Sequence, residues 1–112
     1  MKIMDGSTVK EGEHINRWLI RPWNSQSHLD FGIAFIKPDQ YMRKHVHVNV
    51  EEIFYVIEGK IVLLLNKKKN YILNEGYVAY IPHKQIHALY NRSNKVAILV
   101  VVKSPSLPSD KM

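Results

Sequence analysis

A chain of 112 residues, 46% of them apolar and 23% charged, has room for one domain and one core, and this balance excludes wholesale disorder. It contains no cysteine, which removes disulfides, thiolate metal sites and cysteine nucleophiles together. Sixteen Lys and Arg against ten Asp and Glu give +6 with neutral His. These cations are scattered rather than striped along one element, which argues for general surface charge and against a nucleic-acid partner.

In chain order, residues 1–14 read as an irregular segment whose start, Met1 to Gly6, has no apolar signal core and so reads as no secretory leader. Residues 15–23 read as a first strand. Short runs rich in Val, Ile, Leu, Tyr and Phe follow at 29–36, 52–57, 61–65, 77–81, 86–91 and 96–102, and all read as strands. Turn signals separate them: Lys37-Pro38-Asp39, Glu58-Gly59, Asn66 to Asn70, Asn74-Glu75-Gly76, Ile81-Pro82-His83 and Asn91 to Asn94. Within the third turn, Lys67-Lys68-Lys69 reads as an exposed hairpin end. Residues 104–112, with Pro105 and Pro108, read as a frayed tail, which leaves 15–103 as the folded domain. Regular short strands without a sustained helical period point to an all-β barrel or sandwich. No apolar run approaches the roughly 20 residues of a spanning helix, so no membrane role is expected, and the default location is cytoplasmic. The runs at 53–57 and 96–102 are apolar on both faces. A strand of that kind needs cover on two sides, and in so short a chain a second subunit is the expected cover, giving a homodimer.

The chemistry concentrates on histidine and glutamate. His45 and His47 are two apart on an expected strand, so both imidazoles project to one face. Glu52 follows at an odd offset and joins them only if residues 48–51 bend. His87, on a later strand, can bring a third imidazole from a neighbour. Singly, each has a bland reading: a surface histidine, a solvated acidic edge, a hydrogen-bonded core histidine. Together, three imidazoles and one carboxylate suit Fe, Mn, Co, Ni, Cu or Zn as a divalent ion.

That spacing resembles the cupin superfamily. His45-x-His47, Glu52 and Gly59 match its first motif, and Gly76, Pro82, His87 and Asn91 its second. The motifs span residues 39–91, and the strand pattern extends the likeness over most of the chain. Two turn positions depart from the pattern, Asp39 and Lys84, where the family usually carries Gly. Asp tolerates left-handed backbone well. Lys does so less readily, so Lys84 leads one to expect a different turn type there.

The resemblance implies a single-domain double-stranded β-helix, a jelly-roll barrel, with one divalent transition-metal ion per subunit held by His45, His47, Glu52 and His87. Strand parity adds pocket candidates. Tyr41 and Arg43 share the face of His45 if the strand starts that early; a strand starting at Lys44 leaves Arg43 outside. Leu89 and Asn91 share parity with His87, and Phe54 with Glu52. The function expected is that of a metal-dependent enzyme acting on a small polar or anionic molecule. Oxygenase chemistry comes first, with isomerase or decarboxylase chemistry as variants and no catalytic residue assigned. The alternative is a non-catalytic small-molecule-binding or sensor protein.

Overall fold

The computed structural model describes residues 1, 3–6, 12–13, 16–22, 25–45, 49–66 and 69–106, with backbone alone at 12, 13, 16 and 43–45. The strands are β1 (Gly12–Glu13), β2 (Asn16–Ile20), β3 (Asp30–Ile36), β4 (Tyr41–His45), β5 (Glu51–Glu58), β6 (Ile61–Leu65), β7 (Lys69–Leu73), β8 (Val78–Ile81), β9 (His87–Tyr90) and β10 (Ala97–Ser104). They form a six-stranded sheet, β1-β2-β3-β10-β5-β8, and a four-stranded sheet, β4-β9-β6-β7. From β3 onward nearly every connection carries the chain across to the other sheet, with the β6–β7 hairpin as the exception. This is the jelly-roll expected from the sequence, with two facing sheets in place of one closed ring. No helix among the described residues is long and apolar enough to cross a membrane.

Alternation in the sequence decides the packing. In β5, Glu52, Phe54 and Val56 are buried while Glu51, Ile53, Tyr55 and Ile57 are exposed. In β10, Ala97, Leu99 and Val101 point into the core and Ile98, Val100 and Val102 are half-buried on the other face. Phe54, Leu99, Val101 and Ile36 from the larger sheet meet Ile61, Leu63 and Leu89 from the smaller in one core. Trp18 seals the β2 side, with its indole lying where a Cβ on Gly32 would stand.

β7 was not expected. Residues 66–70 read as a turn, yet Lys69 and Asn70 already pair with Leu65 and Leu64. Only Leu73 of β7 is buried, so this edge strand lacks the apolar alternation that reveals a strand in sequence.

Lys84 corrects another expectation. It keeps the left-handed backbone of the glycine it replaces, with φ of 65°, and Asp39 does the same with φ of 64°. Turn type is therefore preserved at a cost in strain, on the order of 1 kcal/mol for a non-glycine residue. The Lys84 side chain is exposed. Lys84→Gly is accordingly expected to stabilise the fold by about 0.5–1 kcal/mol, net of the extra freedom of the unfolded chain. Urea titration measures this directly; an unchanged or lower midpoint would show that the loop is not held left-handed.

Candidate metal centre

Glu52 and His87 come from different sheets and meet at one end of the core. Glu52 lies on the inner face of β5, and His87 opens β9, so 35 residues of chain separate two groups whose Oε1 and Nε2 stand 2.9 Å apart. Each side chain is only 1% exposed. The ring of Phe54, two residues after Glu52, meets the imidazole edge-on at 6.0 Å and forms an apolar wall beside it.

Local structure sets the imidazole. Nδ1 lies 3.0 Å from the Gln85 carbonyl, which only accepts, so Nδ1 carries the proton and donates. The Nε2 lone pair then faces a carboxylate oxygen, and two acceptors at that distance require a proton or a cation between them. Two adjacent ligands, each about 2.1 Å from one octahedral ion, stand about 3 Å apart, so the pair fits as part of a metal's donor set. The alternative is a buried imidazolium–carboxylate ion pair, whose desolvation costs several kcal/mol per ion.

The loop before His87 is clamped by Asn66, which reads in the sequence only as the start of a turn. Asn66, at φ of 53°, donates its backbone N–H to the Ile86 carbonyl at 2.7 Å, and its side-chain oxygen accepts from the Ile86 N–H at 3.2 Å. Both bonds hold the residue next to His87.

Of the other expected ligands, only the His45 backbone is among the described residues. The His45 backbone pairs directly with His87 across β4 and β9, which brings the two positions side by side. The side chain of His45 and all of His47 lie outside the described residues, as does the Arg43 side chain, although β4 does begin at Tyr41. Among the described residues no group of three His, Cys, Asp or Glu converges.

Of the pocket candidates, Phe54 and Leu89 are fully buried and inward-facing. Asn91 is buried too, but as an anchor. Its amide donates to the Ile36 and Lys95 carbonyls, and its oxygen accepts from Ser93 N–H and Oγ–H, which pins the 91–95 turn. Tyr41 is not in the pocket. It pairs with Tyr90, is exposed, and meets that ring edge-on at 6.2 Å. The register slips between Met42 and His45, so Met42, opposite buried Leu89, takes the inward place. Parity counted back from His45 therefore fails across the bulge.

Strand register brings in residues that no local motif marks. Lys103 on β10 pairs with Glu52 on one side and with buried Asp30 of β3 on the other. Asp30 accepts from Arg21 Nε at 3.1 Å and from Ser106 Oγ at 2.6 Å. The Lys103 ammonium and the Arg21 guanidinium both lie against the Trp18 ring, at 5.2 and 5.3 Å. The row that holds Glu52 is thus a charged row, fixed by pairings between strands far apart in sequence.

The chain's relatives agree with this architecture. The family model described as a cupin domain matches residues 32–103. A predicted oxalate decarboxylase from Thermotoga maritima superposes with a TM-score of 0.80 at 17% identity, covering 91% of this chain and 97% of that one. Ectoine synthase from P. lautus gives 0.78 at 18%, covering 96% and 80%. An uncharacterized conserved protein with a double-stranded β-helix domain from Klebsiella pneumoniae gives 0.76 at 18%, covering 94% and 90%. Among curated proteins none matches the sequence significantly. Such distant structures speak to fold, and the family match spans well over half the chain, from β3 through almost all of β10, so this protein belongs to the cupin superfamily.

Proposed function

We propose that this cupin binds one divalent transition-metal ion through His45, His47, Glu52 and His87, and acts as a metal-dependent enzyme on a small polar or anionic molecule. The observation that carries the reading is the buried Glu52–His87 pair, two acceptors 2.9 Å apart with the imidazole proton committed to Gln85. When bound, the ion supplies Lewis acidity and open positions for an oxygen-bearing ligand, with oxygen chemistry as the first expectation. The residues of the chain do the rest. Gln85 fixes the His87 tautomer, and Phe54 and Leu89 keep water from one side. In this reading the working unit is a homodimer in the cytoplasm.

Elemental analysis of untagged protein purified without added metal is the test, followed by a screen of carboxylates, sugars and phosphates with oxygen uptake recorded. About one transition metal per chain with turnover supports the reading. Tight ligand binding with no turnover would replace the enzyme by a sensor, and a chain that will not load metal would overturn the site.

Acid should release the ion. Imidazole ligates only when neutral, so protons compete as pH falls toward the free-imidazole range. Metal loss is expected below about pH 5–6, followed by equilibrium dialysis against buffers of decreasing pH. Full retention at pH 4 would contradict ligation by three ordinary histidines.

A further inference from the structure

β5 and β9 carry the chain from Glu52 and His87 to the opposite end of the core, where the β5–β6, β7–β8 and β9–β10 connections gather. Arg92 lies five residues beyond His87, so at about 3.3 Å per residue this end is about 15 Å from the proposed ion. Backbone fit draws two of the connections together. Gly59, with φ of 81°, lies so close to the start of β10 that a Cβ would stand 2.9 Å from the Val96 carbonyl oxygen. Lys60 is thereby set beside Arg92, Ser93 and Asn94, and these four line a cleft of about 240 Å³ with Ile61, Val62 and Ile72. An adjoining lobe, which shares Lys60, Ser93 and Asn94, adds Lys95, Asn74 and Glu75.

The cleft joins positive charge to an apolar floor. Tyr90, Val62 and Ile72 pair in a row across the smaller sheet, with Val62 buried and Ile72 61% exposed. The Arg92 guanidinium lies over the Tyr90 ring at 5.8 Å, which restricts its swing. Its turn is held as well: Asn91 anchors it, and Ser93 Oγ accepts from the Lys95 N–H at 3.3 Å. Among the described residues no carboxylate pairs with Lys60, Arg92 or Lys95, and nothing hydrogen-bonds the Asn94 side chain. These three cations face one carboxylate, Glu75, so the two lobes carry an excess of two positive charges.

We infer that this cleft binds a phosphate monoester with a small apolar group, at a site separate from the metal centre. The charge excess matches a phosphate dianion. Arg92 offers a planar fork, Lys60 a point charge from a different turn, and Asn94 a neutral amide donor. Donors that approach from several sides suit a tetrahedral head better than a flat carboxylate. Ile72 and Val62 take the apolar group, and the volume, just under the usual range of ligand sites, fits one ring and its head group. The +6 net charge draws such a dianion in from solution. None of these contacts uses the metal ligands.

Titration of the isotope-labelled full chain with phenyl phosphate, followed through its amide NMR spectrum, tests the inference. A Kd of about 0.1–1 mM is expected, the range open to so small a ligand, with the largest shifts at residues 59–62, 72 and 91–95. Chain stripped of metal and dialysed free of chelator should bind equally well. Inorganic phosphate, benzoate and benzyl alcohol should each bind at least about fivefold more weakly, since each lacks the ring or the dianion. Lys60→Gln with Arg92→Gln should weaken phenyl phosphate at least about tenfold. Lys69→Gln, on β7 at the His87 end of the sheet, should leave it unchanged. Ile72→Ser, at an exposed position, should weaken phenyl phosphate about fivefold and leave inorganic phosphate as it was. The same spectra report the fold of every variant. No saturable shift by about 10 mM overturns the inference. So does binding that disappears with the metal, binding that survives the double variant, or inorganic phosphate or benzoate as tight as phenyl phosphate. Metal content, measured on the same samples, reports on the proposed ion separately, so either reading can fail alone.

Discussion

Glu52→Gln should reduce the metal content of the purified chain from about one ion to a trace, and abolish turnover with it. The substitution keeps volume and one hydrogen-bonding oxygen but removes the negative charge that makes the carboxylate a ligand. Losing an outer partner of a metal ligand costs roughly 10–100-fold in affinity, and losing a ligand should cost more. The fold should survive, because Gln can still donate its amide N–H to the His87 Nε2 lone pair, the acceptor left when Nδ1 bonds Gln85. In the metal-free state, where a proton must bridge the parent pair, the variant keeps a neutral hydrogen bond between the same two side chains and is expected to lose little stability. Two measurements check this: elemental analysis after exchange into metal-supplemented buffer, and urea unfolding in the presence of a chelator. Parental metal content in the variant would remove Glu52 from the site. A large loss of metal-free stability would instead make the pair an imidazolium–carboxylate bridge, whose disruption typically costs 3–5 kcal/mol.

Alternation is the part of this fold that reads most directly from residues. β3, β5 and β10 bury every second side chain, and their positions agree with the sequence expectation to within two residues. β7 escaped because an exposed edge strand with one buried residue has no periodic signature. The site was legible in its motif and illegible in its surroundings, for a physical reason. Parity holds only along an unbroken strand, so the bulge in β4 moved Tyr41 to the outside and put Met42 inside. Cross-strand register is a property of the assembled sheet, so nothing near Lys103 or Asp30 in the sequence announces that they share a row with Glu52. Asn91 shows the reverse. It stands at a motif position, and its four hydrogen bonds spend it on the turn. Lys84 shows that a backbone requirement can outlast the residue that best satisfies it.

Phe54→Ala should be the most destabilising of the substitutions discussed, at about 3–5 kcal/mol. Phe54 is completely buried, at the centre of the inner face of β5, where it is flanked in register by Val101 and Ala79. Its truncation removes apolar area and leaves a cavity that two sheets, each held by its own ladder, can close only in part. A domain of this size has about 5–15 kcal/mol in total, so the loss takes at least about a fifth of it, and the melting temperature should fall by on the order of 15–25 °C. The cavity opens against His87, whose ring Phe54 meets edge-on. Metal affinity should therefore fall along with stability, because the imidazole loses the wall that fixes its orientation. Phe54→Leu separates the two effects. It refills most of the volume and should recover most of the stability, but it presents no aromatic edge to His87. Thermal melts and metal titrations of both variants decide the matter. If the Leu variant recovers stability while its metal affinity stays reduced, Phe54 positions His87 through the ring itself. If both recover together, filling the space is all that Phe54 does for the site.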